Sequence, residues 1–338
     1  MALRLIEAVL PKQYEHKVQE ILKDHKVLGI WQQGLSEEKV LVRVLLPTVE
    51  TEAILDLLKK HYSHLDGFRV MLLSVEASLP RPDEPEKKTE KEKPKEKPTP
   101  QAKVNRKSRQ EIYTDINQSS KLSTVYLVMV ILSTIVAALG ILLNNIFAII
   151  GAMVIAPLLG PNVALSLATT LGDIDLAKRA LKANLSGIFT ALFISIIIGT
   201  IFTVSPDIHV LAFRTKTGLG DVVLALASGS AGALAFTTGI STALVGVMVA
   251  VALLPPLVTF GLLLGSGHFQ MALGAMLLLL INLICINLAG VTTFLAQGIR
   301  PITWWEADRA KKATRDAIII WGVLLLALII VILLTQRG

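Results

Sequence analysis

From residue 122 onward the chain is a succession of apolar runs, at about 123–143, 146–170, 183–204, 219–238, 240–264, 269–296 and 317–335. At 1.5 Å rise per residue, such runs are long enough as helices to cross roughly 30 Å of hydrocarbon. Only helices and closed barrels satisfy every backbone polar group in that medium. The runs therefore predict a polytopic α-helical membrane protein with about seven spans. Composition agrees, since 53% of residues are hydrophobic and 17% charged. The fourth run, "LALASGSAGALAF", is rich in Gly, Ala and Ser, which suits close helix packing or a re-entrant segment. Six spans plus a hairpin is the alternative.

Charge fixes an expected direction. "MALRLIEAVLPK" has no uninterrupted apolar core and no small-residue cleavage site, so the N-terminus is expected in the cytosol. The cytoplasmic segments 103–121, 178–182 and 300–315 then hold thirteen Lys/Arg, against Arg214, Lys216 and Arg337 outside. This is the positive-inside pattern, and it puts the C-terminus outside. Topology thus explains the net charge of +7 better than nucleic-acid binding does. Trp304 and Trp305, just after Arg300 and Pro301, suit the headgroup interface as membrane anchors.

Before residue 80 the pattern is that of a soluble domain. "LRLIEAV", "VLGIWQQG", "KVLVRVLL" and "FRVMLLSV" read as strands. "YEHKVQEILKDH" puts Tyr14, Val18, Ile21 and Leu22 on one helical face. A second helix is expected from an N-cap at Thr48, with Ile54, Leu57, Leu58 and Leu65 at helical spacing. The order βαββαβ predicts a ferredoxin-like cytoplasmic domain over 1–79. His16, His25, His61 and His64 lack a cysteine or carboxylate set at metal spacing and are read as surface residues. No metal or cofactor is expected.

Residues 80–110 mix Pro, Glu and Lys with almost no apolar side chains, the composition of a disordered tether. The segment 80–121 is thus read as a charged linker ending in basic juxtamembrane residues, Lys103, Arg106, Lys107, Arg109 and Lys121. These suit either anionic lipid or the setting of orientation. The transmembrane domain is expected over 122–338.

Inside that domain, a shift of 95 lays "IIGAMVIAPLLGP", from 149, on "LVGVMVAVALLPP", from 244. It also puts Gly172–Asp173 on Gly267–His268. Two copies of three spans each must lie upside down relative to one another, which predicts an inverted repeat of the kind that builds transporters. Pro157, Pro161, Pro255 and Pro256 lack an N–H and are expected to free the carbonyls of Met153, Pro157, Val251 and Ala252. With Gly160, Asn162, Ser166 and Thr259 nearby, these carbonyls are the expected solute or ion pathway.

No Asp, Glu, Lys or Arg lies deep in a run. That argues against proton pumping and anion transport, which place ionisable groups at depth. Asp173, Asp175 and Asp221 stand at the rims as candidate gate or coupling residues, and Asn184, Asn282 and Asn287 as path-lining or interface hydrogen bonders. The single cysteine, Cys285, lies in an apolar run and reads as a small core residue. No catalytic constellation is present, so the chain is not expected to be an enzyme.

With "IIGAMVIAPLLGP", "LGD" at 171–173, "VAVALLPPL" and "RPITWWE" in that order, residues 123–310 resemble the prokaryotic "uncharacterised hydrophobic domain" family, domain of unknown function 389. The resemblance implies a bacterial or archaeal inner-membrane protein, often with a small N-terminal domain, and no established activity or catalytic residue. The resulting expectation is a transporter or channel for a small neutral solute or cation, in contact with membrane lipid, homo-oligomeric and regulated by the head. The alternative is a non-transporting sensor or scaffold whose head binds a metabolite or partner.

Overall fold

The computed structural model describes residues 3–75, 107–205, 208–215, 217–239, 242–300 and 304–337, with the backbone alone at 16, 242–252, 304–310, 313 and 334–337. The charged linker 80–106 lies outside the described residues, as do Lys103 and Arg106. The chain divides into two compact units, Met1–Glu111 and Ile112–Gly338.

The first unit runs β1 (Leu3–Pro11), α1 (Glu15–Ile21), β2 (Gly29–Gly34), β3 (Lys39–Pro47), α2 (Thr51–Tyr62) and β4 (Arg69–Val75). The strands form one antiparallel sheet in the order β2-β3-β1-β4, the βαββαβ arrangement expected. Alternation places Ile6, Ala8 and Leu10 of β1 and Val40, Val42, Val44 and Leu46 of β3 on the helix-covered face. They meet Val18 and Leu22 of α1 and Ile54, Leu58 and Tyr62 of α2. Thr48 is not the N-cap of α2. It lies in a single 3-10 turn, Thr48–Glu50, with no side-chain cap, and is itself buried. Pro47 ends β3 in extended geometry and leads directly into that turn.

A helix that composition concealed follows, α3 (Arg109–Ser119). The basic juxtamembrane segment is therefore ordered over these residues rather than a continuation of a tether. Ile112 and Ile116, one turn apart, are fully buried in the core of the second unit. In the first unit, Arg109 Nη2 donates to both carboxylate oxygens of Asp56 at 3.0 Å, and Arg4 Nε to Glu111 Oε1 at 2.9 Å.

The second unit is helical throughout: α4 (Thr124–Leu142), α5 (Ile146–Ile155), α6 (Leu159–Leu171), α7 (Ile174–Ile201), the short α8 (His209–Ala212), α9 (Leu219–Thr238), α10 (Thr242–Gly265), α11 (Phe269–Ala296) and α12 (Trp304–Arg337). Among the described residues five helices are long and apolar enough to cross a membrane, and six if the bent pair α5–α6 is one span. The part of α10 whose side chains are described, Leu253–Gly265, is apolar but shorter than a span. The fourth run forms one unbroken helix, α9, of 20 residues.

Burial is the reverse of a soluble bundle. Phe147, Phe189, Phe193 and Val223 are exposed, whereas Asn162, Ser166, Asn184 and Asn287 are buried. An exposed apolar surface of this extent is stable against lipid and not against water, so the chain is a membrane-embedded protein. α6 packs on α7 and α11, and α10 packs on α11 and α7.

Candidate functional site

The centre of the second unit is shaped by one proline. Pro157 has no N–H to continue α5 and pushes its predecessor out of helical geometry. Ala156 accordingly sits at φ −65° and ψ 120°. The chain turns by 49° before α6 begins. Pro161 causes no second break, because it is the third residue of α6, where an N–H has no intrahelical acceptor in any case. Gly160 lets the backbone of Ser119, at the end of α3, approach α6 directly. A methyl group there would collide with the Ser119 carbonyl. Met153, one turn before the break, is 2% exposed.

One turn beyond the break, four polar side chains from three helices converge. Asn162 of α6 is completely buried. Its Nδ2 donates to the Leu158 carbonyl at 2.8 Å, one turn back along the chain. Its Oδ1 accepts from Asn184 Nδ2 of α7 at 2.9 Å and from Asn287 Nδ2 of α11 at 3.4 Å. Ser166 Oγ donates to the Asn162 carbonyl at 3.2 Å and lies 3.3 Å from that of Asn287. A buried amide without partners costs about 2–7 kcal/mol, and this mutual satisfaction removes most of that cost. The outcome is a neutral, hydrogen-bonding patch deep within apolar helices.

The second proline strip behaves differently. α10 runs without interruption through Pro255 and Pro256, so the expected meeting of two broken strips is corrected to one break facing one continuous helix. The 95-residue alignment explains why. Pro161 matches Pro256, but the breaking residue Pro157 matches Ala252. The side chains of Val251 and Ala252 lie outside the described residues. Thr259 of α10 is fully buried, and its hydroxyl has no hydrogen-bond partner among the described residues.

Other features do recur at that spacing. Gly172 and Gly267 both end their helices with positive φ. Asp173 N–H bonds the Ala168 carbonyl and Ala177 N–H the Asp173 carbonyl. The same bonds join His268 to Leu263 and Ala272 to His268, each 95 positions on. Ser166 of α6 touches Gly290 of α11, and Gly261 of α10 touches Ser195 of α7, so a shift of 95, forward for Ser166 and back for Gly290, carries one contact onto the other. The polar patch does not share this correspondence. Asn162, Asn184 and Asn287 match Leu257, Leu279 and Leu192, so only one of the two related places is polar.

The rim aspartates sit at helix starts. Asp173 caps α7, its Oδ1 accepting from Leu176 N–H at 2.9 Å. Its Oδ2 accepts from the Tyr113 hydroxyl of α3 at 2.7 Å. Burial, and then that hydrogen bond, hold the Tyr113 hydroxyl above its ordinary pKa. Asp221 Oδ2 accepts from Gly218 N–H at 2.8 Å in the first turn of α9, and Asp175 is exposed. These carboxylates suit the positive ends of helices and are not brought together with the asparagines. Asn282 is buried on α11. The side chains of Trp304 and Trp305 lie outside the described residues.

Sequence reasoning missed α3 and its contacts with Gly160 and Asp173. The signal was the spacing Ile112, Tyr113, Ile116, overshadowed by the neighbouring charge.

Comparison with known proteins follows the same region. The family model "Domain of unknown function (DUF389)" matches residues 153–288, which include the break and all four members of the polar patch. An uncharacterised protein of Methanocaldococcus jannaschii, MJ0678, is 35% identical over 334 residues, covering 98% of this chain and 99% of its own. No solved structure matches the chain. On this relationship the chain belongs to the family of domain of unknown function 389.

Proposed function

We propose that the membrane unit is a carrier or channel for a small neutral solute or a cation, and that it engages this solute at the patch formed by Asn162, Ser166, Asn184 and Asn287. The observation that carries the reading is the burial of three amides one turn beyond a broken helix. Amide and hydroxyl groups offer both donors and acceptors to an uncharged solute and oxygens to a cation, and a helix break leaves further backbone groups unpaired beside them. The recurrence of hydrogen bonds and of the Ser–Gly contact at a spacing of 95 supports an inverted repeat of α4–α7 and α9–α11. On this reading α10 is a full span, the spans number seven, and the N-terminus lies in the cytosol of a prokaryotic cell with the C-terminus outside. Asp173, Asp175 and Asp221 stand at the rims of the pathway.

The test is flux into proteoliposomes containing the full chain, followed by stopped-flow light scattering with urea and glycerol and by Na+ uptake. The expected result is protein-dependent flux of at least one probe, reduced at least tenfold by Asn162→Ala. Flux unchanged in that variant removes the patch from the pathway. Absence of protein-dependent flux with every probe favours the sensor or scaffold reading.

A further inference from the structure

The helices α1 and α2 of the head cover one face of its sheet, and the register of the opposite face has a pattern with a consequence for assembly. Trp31, Arg43, Glu7 and Met71 stand in one row across β2, β3, β1 and β4. The ends of the row are apolar and open: Trp31 is 53% and Met71 39% exposed, and Leu73 beside Met71's row is 43% exposed. The middle is an ion pair, Arg43 Nε to Glu7 Oε1 at 2.7 Å. The indole of Trp31 lies back over Gly29, where a methyl group would come within 2.6 Å of the ring. The face thus reads apolar, cation, anion, apolar.

We propose that two copies of the chain pair through this face, sheet on sheet, about a twofold axis parallel to the strands and between β1 and β3. Such an axis lays β3 on the second copy's β1 and β2 on its β4. Each Arg43 then meets Glu7 of the second copy, and each Trp31 meets Met71 of the second copy. An axis across the strands sets Arg43 on Arg43 and Glu7 on Glu7, like charges in a closing interface, which costs several kcal/mol. Charge therefore selects one of the two face-to-face twofold arrangements. Four strands about 4.8 Å apart and about 24 Å long offer roughly 450 Å² per copy before side-chain relief, close to the roughly 1,000 Å² total expected of a specific interface. Twofold pairing is also the commonest symmetry of soluble oligomers.

The experiment uses the full chain in detergent on a Cys285→Ala background, treated with a short bismaleimide, because facing sheets stand about 10 Å apart, too far for a direct disulfide. Trp31 and Met71 stand three strands apart, about 14 Å, within one chain, beyond the reach of that short linker, whereas in the pair they face each other across the about 10 Å between sheets. The double variant Trp31→Cys/Met71→Cys is expected to form a covalent dimer, and each single variant is not. Adding Glu7→Arg is expected to lower the cross-linked yield at least fivefold, and adding Arg43→Glu to that chain restores it. Should the double variant not purify as folded protein, Gln33→Cys/Arg69→Cys probes the adjacent row in the same way. No cross-link in a folded double variant overturns the proposal and leaves the face to lipid or to a different protein. A cross-link of equal yield in a single variant overturns the axis.

Discussion

Ser166 and Gly290 touch so closely across α6 and α11 that a methyl group on Gly290 would stand 2.6 Å from Ser166 Oγ. Absence of a side chain at 290 is therefore a packing requirement. Gly290→Ala is expected to destabilise the membrane unit by about 1–3 kcal/mol through overpacking. Ser166→Gly in the same chain is expected to recover much of that loss, as contacting residues couple. Thermal unfolding in detergent of both single variants and the double variant reads the coupling. Additive losses would separate the two residues.

Asn162 is the acceptor shared by two other amides, and its replacement strands Asn184 Nδ2, while Asn287 Nδ2 keeps its bond to the Leu283 carbonyl at 2.9 Å. Asn162→Leu is expected to cost about 1–3 kcal/mol for the donor left unpaired. Asn184→Leu removes one donor and leaves Asn287 bonded to Asn162, so its loss is expected to be smaller. Unfolding in SDS–micelle mixtures ranks the two, and equal losses would argue that the patch has no common centre.

The two proline strips separate the break from proline content as such. Pro157→Ala supplies an N–H for the Met153 carbonyl and is expected to extend α5 toward α6, raising the melting temperature and abolishing flux. Pro255→Ala acts on a helix that is already continuous and is expected to leave flux within twofold of the parent. Liposome assays on the pair decide. Equal flux from both variants would detach the bend from any transport.

Tyr113 gives a pH signature. Its hydroxyl is raised in pKa by burial and then by Asp173, so the folded state retains the proton more tightly than the unfolded chain. That contribution is complete below pH 10 and is lost as pH rises through the folded-state value. The stability of the parent is expected to fall above pH 10 more steeply than that of Tyr113→Phe. The variant is expected to lose about 1 kcal/mol at neutral pH with the hydrogen bond. Melting curves between pH 7 and 11 test both, and parallel profiles would assign the alkaline loss elsewhere.

The head was legible because its strands alternate cleanly and its helices present one apolar face. Both ends of α2 were misplaced: Thr48 resembles a cap but is drawn into the core, and the helix stops at Tyr62, short of Leu65. In the membrane unit the runs and the break at Pro157 were legible from residue chemistry alone. The continuity of α10 was not, although the alignment contained the reason: Ala252, not a proline, stands 95 positions on from Pro157. Nor does a sequence say which asparagines converge. Asn184 and Asn287 meet at Asn162 because α7 and α11 both pack on α6, a long-range arrangement that helical periodicity does not encode. α3 escaped notice because two isoleucines carry its burial amid charged neighbours.

The shared acceptor at Asn162 also has a place in time. Asn184 follows it by 22 residues and Asn287 by 125. At about 5–20 residues per second of synthesis, the later amide arrives roughly 6–25 s behind. During synthesis Asn162 therefore has Asn184 as its amide partner first, and the triad closes only when the last sixth of the polypeptide is made.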